Sequence, residues 1–382
     1  MNILLDARTA IPRFPGVGRY ALELSCALAG LFATTGDRLS LICNRAVKRA
    51  FPENTGIDVY ECDVPPDAPD ACGALGRIVQ AAKPDIYHTP NRLCGPIPGL
   101  PAVLTLHDCV PVKCAFETTP QERIAYLTSV GSALKACTRA ITVSQATLAD
   151  IADLFPGDAG KCRVIPHGVG APFKPTSAES HAAVAKSLGF SRPMILYIGD
   201  NKRHKNLVEL FRGYDRAREM LHGVRLVLGG FGCKPAPRHT RLIREFGLEE
   251  LVTWIGDVPE ADLPALYGAA AAFVMPSLYE GFCMPVVEAM ACGTPVACSD
   301  IPASREVCGD TAVYFDPREP DSIAQALVTA ATDNIVRNRH RAAAFDKVRG
   351  YTWEAAAQAT REVYLEALAA WQARASESEK QL

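Results

Sequence analysis

This sequence predicts an α/β protein of two doubly wound, Rossmann-like domains, and three observations carry that expectation. Short apolar runs alternate with longer helical patterns almost throughout the chain. A polar, proline-flanked stretch splits the alternation into two halves of similar length. The length, 382 residues, also exceeds what one ordinary core supports. Strands alternating with helices make parallel sheets covered on both faces.

In chain order, the strand candidates of the first half are 3–6, 39–43, 57–62, 86–88, 103–106, 140–143 and 163–165. Those of the second half are 195–198, 225–228, 252–255, 272–275, 296–299 and 312–315. Helices are expected between most of them, as at 17–32, 207–221 and 322–331. The stretch 174–191, which follows Pro166, Pro172 and Pro175, is the linker candidate, part of it helical. The division predicted is therefore a first domain over 1–172, a linker over 173–192 and a second domain over 193–352. A closing helix over 353–382, with Thr352 as its cap, is expected to pack back towards the first domain. Ligands of doubly wound sheets bind beyond the carboxyl ends of the strands, so two such halves facing one another form a cleft.

Composition narrows the function. Hydrophobic residues make up 48% and charged residues 21%, and the net charge of -2 gives no reason to expect nucleic acid as a partner. The 14 cysteines are scattered without a C-x-x-C pair or a zinc-type cluster, the pattern of buried, reduced thiols in a cytosolic protein. Residues 1–8 read as a strand rather than a signal peptide. No run approaches the ~18 apolar residues of a membrane span. A soluble chain, at most peripheral to a membrane, is expected.

The most informative segment is Glu280-Gly281-Phe282-Cys283-Met284-Pro285-Val286-Val287-Glu288, continued by Ala289-Met290-Ala291-Cys292-Gly293-Thr294-Pro295-Val296. The continuation reads as helix, glycine stop and buried strand. With Pro285 in the first turn, the amides of Phe282, Cys283 and Met284 are expected at the positive end of a helix, where they suit an anion or hydroxyl. Glu280 precedes that point and Glu288 lies one turn inside. Two acceptors around a phosphate site suit a nucleotide sugar.

Four other places carry candidate chemistry. Phe14-Pro15-Gly16-Val17-Gly18-Arg19-Tyr20-Ala21 reads as a glycine-rich loop entering a helix, able to approach a phosphate. It also spells G-x-G-x-x-A, with Asp37 about 20 residues on, although the glycines follow the strand too late for a dinucleotide fingerprint. A plain surface turn is the alternative. His107 ends the strand pattern Leu104-Thr105-Leu106, where it could donate to a sugar hydroxyl or a phosphate oxygen, or be structural. Gly199-Asp200-Asn201-Lys202-Arg203-His204-Lys205-Asn206 places three cations and an imidazole at a strand-to-helix turn, a diphosphate clamp or a solvated basic turn. Leu226-Val227-Leu228-Gly229-Gly230-Phe231-Gly232 runs a strand into glycines that either approach a nucleotide or turn the chain.

Taken together, these residues resemble the retaining glycosyltransferases of family 4, which have the GT-B fold. The likeness runs in order through the glycine-rich segment, His107, Val143-Ser144, the basic turn, Glu280 to Glu288 and the helix opened by Tyr351-Thr352-Trp353. The resemblance implies that Glu280 binds hydroxyls of the transferred sugar and Glu288 the ribose. It implies that Phe282, Cys283 and Met284 contact sugar and diphosphate through their amides, and that Lys205 neutralises the diphosphate. Gly16 and Gly18 would cover the diphosphate, His107 would touch the sugar, and Ser144, Arg203 and Gly230 would join the donor site. The first domain would bind the acceptor and the second the nucleotide sugar. This chain departs from the family where His204 and Asp200 replace arginines of the basic turn, where Cys283 replaces a glycine and where His167 replaces an asparagine. Lys202 or Arg203 then supplies the second charge.

The reaction implied is front-face, retaining transfer with no cofactor and no metal. The nearest flavour is that of bacterial exopolysaccharide and O-antigen α-mannosyltransferases, with GDP-mannose as donor and a saccharide or lipid-linked oligosaccharide as acceptor at the cytoplasmic face of the inner membrane. A UDP-sugar donor is the alternative. Two others are an NAD-dependent dehydrogenase, favoured only by G-x-G-x-x-A, and a silent nucleotide-sugar-binding protein. Two carboxylates could also suggest a glycosidase pair, but helical spacing together with the roles the resemblance implies makes ligand binders of both.

Overall fold

The computed structural model describes residues 1–11, 14–51, 56–66, 68, 71, 73–91, 97–189 and 193–380. The chain divides into two compact units. One comprises Met1–Val112, Thr118–Gly168 and Thr352–Leu382, the other Lys113–Glu117 and Val169–Tyr351.

In chain order the first unit begins with β1 (Asn2–Asp6), α1 (Pro15–Thr35), β2 (Arg38–Cys43), β3 (Asp58–Glu61), α2 (Gly76–Ala82), β4 (Ile86–Thr89) and β5 (Ala102–Leu106). The short α3 (Val110–Lys113) leads to α4 (Pro120–Ala136), β6 (Arg139–Thr142), α5 (Gln145–Leu154) and β7 (Cys162–Val164). The seven strands form one sheet, ordered β3-β2-β1-β4-β5-β6-β7, and every pairing is parallel. Ile3 sits level with Leu39 on one side and Ile86 on the other. A central strand buried on both faces must be apolar along its whole length; β1 reads Asn-Ile-Leu-Leu-Asp, and its three middle residues have no exposed surface.

Helix α1 begins at Pro15, whose missing amide costs nothing there, and stops at Gly36, whose left-handed backbone (φ 75°) lets its N–H return to the Phe32 carbonyl. Gly16 and Gly18 therefore belong to the first turns of a helix, not to a loop ahead of it. The core of this unit joins Tyr20, Leu24 and Leu28 of α1 to Trp353, Ala357 and Tyr364 of the closing helix.

The second unit contains α6 (Ala178–Ser187), β8 (Met194–Ile198), α7 (Leu207–Ala217), β9 (Arg225–Gly229), α8 (Pro237–Glu245), β10 (Val252–Gly256), α9 (Leu263–Ala269) and β11 (Ala272–Met275). It continues with α10 (Met284–Ala291), β12 (Val296–Ser299), α11 (Pro302–Cys308), β13 (Ala312–Phe315), α12 (Pro320–Thr332) and α13 (Asn334–Val348). Helix α14 (Trp353–Lys380) then returns to the first unit. The six strands order as β10-β9-β8-β11-β12-β13, all parallel. Ile195, Tyr197, Phe211, Tyr214, Leu226 and Leu327 lie at the centre of its core.

Most of the stretch expected as a linker belongs to this unit. Ser177 caps α6 through the Ser180 amide, so the polarity of 174–191 reflects an exposed helix; residues 190 and 191 lie outside the described residues. The chain passes between units at Val112–Lys113, Glu117–Thr118, Gly168–Val169 and Tyr351–Thr352.

Strand order reverses between β1 and β4 in the first unit and between β8 and β11 in the second. Beside such a switch, successive connections leave for opposite faces and open a crevice at the carboxyl ends of the strands.

Candidate active site

In the second unit that crevice lies where β8 and β11 end side by side. Beyond β8 the chain makes a single 3-10 turn at Arg203–Lys205, then reaches Asn206 in the left-handed region (φ 60°), held by its side-chain bond to the Pro317 carbonyl (2.6 Å). Beyond β11 it runs through Ser277 and Glu280 to α10. The two turns are laced together by the Leu278 amide, which donates to the His204 carbonyl at 2.8 Å. Beside that bond the Lys205 ammonium donates to Glu280 Oε1 (2.7 Å), and the Ser277 hydroxyl donates to the same oxygen (2.6 Å).

Both ends of the ion pair are largely covered, with Lys205 18% and Glu280 12% exposed. Burial alone would lower the Lys205 pKa, but the charges of Glu280 and Asp200 outweigh it and hold the ammonium above its ordinary value. Asp200 shows the reverse: burial pushes it up, and Lys205 and Lys202 bring it below the usual carboxylate range. The crevice thus holds a fixed cation whose charge is shared among carboxylates.

Glu288 stands inside α10, 2% exposed, and its Oε2 accepts from the Tyr267 hydroxyl of α9 at 2.8 Å. Pro285 occupies the first turn of α10, as expected, but the amides there are not all presented. The Met284 amide turns back to the Phe282 carbonyl (3.1 Å), because the chain tightens as it enters the helix. The Cys283 side chain has no exposed surface and sits 3.6 Å from the Ser304 hydroxyl. Burial first, then the Glu280 charge, pushes its thiol well above the ordinary range. It is a neutral core group, so only its backbone could meet a ligand.

The remaining basic residues do not converge on Lys205. Arg203 donates to the Phe116 carbonyl (2.9 Å) and lies 5.5 Å above that ring. Lys202 pairs with Asp200 at 3.2 Å. His204 is buried, and its amide and Nδ1 both meet Glu117. Gly230 (φ 119°) is explained by backbone crowding: a Cβ there would lie 2.8 Å from Gly199 N and O. The crowding arises where β8 and β9 end together, so this glycine needs no nucleotide to account for it.

In the first unit His107 donates from Nε2 to the Pro90 carbonyl (2.8 Å), an atom that can only accept. In the neutral ring Nδ1 is then the acceptor, so His107 can receive a hydroxyl proton but has no second N–H for a phosphate. Burial, its largest influence, lowers the imidazole pKa. Gly18 is fixed by packing, since a Cβ would lie 2.6 Å from the Thr9 carbonyl, whereas Gly16 is exposed with open space around it. Ser144 is fully buried and caps α5 by accepting from the Thr147 amide (2.9 Å), which removes its hydroxyl from direct ligand contact. Asp37 holds the N-terminal ammonium (2.7 Å) and Arg361 (2.6 Å) rather than standing ready for a ribose.

Comparison with known proteins bears on the whole chain. The family model described as Glycosyltransferase Family 4 matches residues 15–171, and that described as Glycosyl transferases group 1 matches residues 181–347. O-antigen chain mannosyltransferase B of Escherichia coli is 31% identical over 277 residues, which cover 70% of this chain and 71% of that relative. The chain belongs to glycosyltransferase family 4. An O-antigen chain mannosyltransferase of Salmonella typhimurium is 26% identical over 245 residues, 64% of this chain and 65% of its own. The solved sucrose-phosphate synthase of Thermosynechococcus elongatus superposes with a TM-score of 0.76 over 96% of this chain and 99% of its own, at 20% identity. Its agreement places this family-4 chain in the GT-B fold.

Against the family motif, sequence reading missed Ser277, Tyr267, Asp200 as a charge partner and Glu117. Asp200 lies inside the basic-turn motif and Ser277 just ahead of Glu280, so their polarity at a strand end was a usable signal. Tyr267 and Glu117 reach the site only through folding. Among the described residues, no group of three or more His, Cys, Asp or Glu could hold a metal, and no helix is long and apolar enough to cross a membrane.

Proposed function

We propose that this chain transfers mannose from GDP-mannose to a lipid-linked saccharide in the assembly of a bacterial surface polysaccharide or glycolipid, with retention at the anomeric carbon. The observation that carries the reading is the Lys205–Glu280 pair at the switch between β8 and β11. An ammonium has three N–H donors; with one on Glu280, the others can reach a diphosphate. Glu280 in turn accepts from hydroxyls of the transferred sugar, and Glu288, oriented by Tyr267, accepts from the ribose. The choice of mannose is supported by the names of two relatives, both O-antigen chain mannosyltransferases.

In this reading the bond from the anomeric carbon to the diphosphate oxygen breaks as the acceptor hydroxyl approaches the same face, and its proton passes to the departing diphosphate. Lys205 and the positive end of α10 meet the developing charge, an arrangement worth more in a covered site than in water. No metal enters the scheme. The acceptor would bring the protein to the cytoplasmic face of the inner membrane as a peripheral visitor.

A screen of radiolabelled nucleotide sugars with a bacterial lipid extract, with and without chelator, tests this. Mannose transferred from GDP-mannose in the α configuration, unaffected by chelator, is expected. Turnover with UDP-sugars alone would replace the donor, and an inverted product would overturn the mechanism. Tight NAD binding in place of GDP would revive a dehydrogenase.

A further inference from the structure

We propose that Tyr20 is the positioning residue for His107, and that helix α14 holds Tyr20 in place through a continuous buried chain of hydrogen bonds. The chain begins at Tyr364 on α14, whose hydroxyl lies 2.7 Å from His88 Nδ1 on β4. His88 Nε2 lies 2.9 Å from the Thr105 hydroxyl on β5, and that hydroxyl lies 3.0 Å from the Tyr20 hydroxyl on α1. Tyr364, His88 and Thr105 have no exposed surface and Tyr20 has 2%. The Tyr20 ring then meets His107 edge-on, with centroids 4.8 Å apart and planes at 82°. Tyr20 also meets His167 and Trp353, and His167 meets His107 in turn, so the histidine belongs to a cluster of packed rings.

Chemistry gives this chain a direction. A neutral imidazole has one donor and one acceptor nitrogen, so His88 must receive on one side and donate on the other. Burial keeps it neutral, with a pKa pushed down to about 3. Cutting either end leaves a polar atom stranded in a dry interior, which costs more than the bond itself contributes. The Tyr20 ring is thereby pinned at its hydroxyl, and His107, which also bonds the Pro90 carbonyl and meets the His167 ring, keeps its orientation against that ring.

The kinetic part of the test rests on His107 acting at the sugar; the spectroscopic part does not. Tyr364→Phe and Tyr20→Phe are made in the full chain, with His107→Ala as reference, and folding is followed by thermal melting. Ring 15N and 1H resonances of the eight histidines report tautomer and orientation. Both phenylalanine variants are expected to shift His107 as well as His88, and unmoved His107 signals in both variants overturn the proposal. On turnover, each is expected to lower kcat/KM for the acceptor by roughly 3- to 30-fold, the range one buried partner carries. The double variant should cost less than the product of the two, because both break one chain. Multiplicative losses would make the two tyrosines independent and overturn the relay. If His107→Ala keeps the wild-type rate, the sugar-facing role fails instead, and the resonances alone decide the positioning.

Discussion

Lys205 and Glu280 stand 75 residues apart in sequence, yet the ammonium of one donates to the carboxylate of the other across 2.7 Å. Each residue ends its own strand connection, and the parallel pairing of β8 with β11 brings the two ends together. The carboxylate raises the basicity of the amine and is itself oriented by it and by Ser277. A pair arranged in advance spares the site reorganisation when a charged ligand arrives.

Replacing Lys205 with alanine is expected to slow the chemical step by roughly 10- to 1000-fold, as when one transition-state donor is lost. Single-turnover rates at saturating donor measure it. A wild-type rate would remove the clamp from the mechanism.

Glu288→Ala is expected to weaken binding of the nucleoside diphosphate by about 1–3 kcal/mol, the cost of stranding polar partners. Tyr267→Phe should act in the same direction and more weakly, since it removes only the hydroxyl that orients the carboxylate. Calorimetric titration with GDP checks both, and unchanged affinity in Glu288→Ala sinks the ribose role.

Gly16 and Gly18 separate cleanly. Gly18→Ala drives a Cβ to 2.6 Å from the Thr9 carbonyl and should destabilise the first unit by roughly 1–3 kcal/mol, as overpacking does. Gly16→Ala meets open space in a helix and should stabilise by up to about 1 kcal/mol. If Gly16 nevertheless covers the diphosphate, the donor KM rises in a protein that melts no earlier; an unchanged KM leaves Gly16 as a plain helix residue.

Acid should loosen the protein in a definite window. Burial lowers His88 to about 3 and His239 to about 4, and lowers His107 and His167 from the ordinary 6.5. Groups depressed in the fold stabilise it above their unfolded pKa and lose that stabilisation as pH falls towards the folded values. For His88, whose folded value of about 3 lies below that window, the slope between pH 6.5 and 4 approaches about 1.4 kcal/mol per pH unit. Lys205 has the opposite sign: its pKa is raised, so its stabilisation is complete below 10.5 and is lost only as pH climbs past the folded value. Urea melts from pH 4 to 8 test the first statement, and His88→Gln should flatten the curve. A wild-type curve flat below pH 6 would contradict it.

Ser144→Ala removes the cap of α5 and is expected to cost about 1 kcal/mol of stability. Because the hydroxyl is buried on the Thr147 amide, donor affinity should stay at its wild-type value. A clear loss of donor affinity would return Ser144 to the site.

The fold was legible almost strand by strand, because buried parallel strands announce themselves as short apolar runs and β1 to β13 each match one. Single residues were less legible. His107, Ser144, Arg203 and Gly230 were selected by polarity or flexibility beside a strand end. The structure gives three of them partners within the protein, the Pro90 carbonyl, the Thr147 amide and the Phe116 carbonyl, and leaves Gly230 no room for a Cβ beside the Gly199 backbone. Sequence shows which groups can bond, and a group with several possible partners gives no hint of which one it takes.

The sequence by itself determined two parallel-sheet α/β units, a helix with Pro285 in its first turn, and the family to which the Glu280 to Glu288 segment belongs. Those properties follow from local patterns of period, proline and glycine, which act over a few residues. Tertiary structure alone decided that Lys205 meets Glu280, that Tyr267 holds Glu288, and that Tyr364 reaches Tyr20 through His88 and Thr105. Each of those contacts joins residues from separate elements, and only strand order and helix packing bring such atoms within 3 Å.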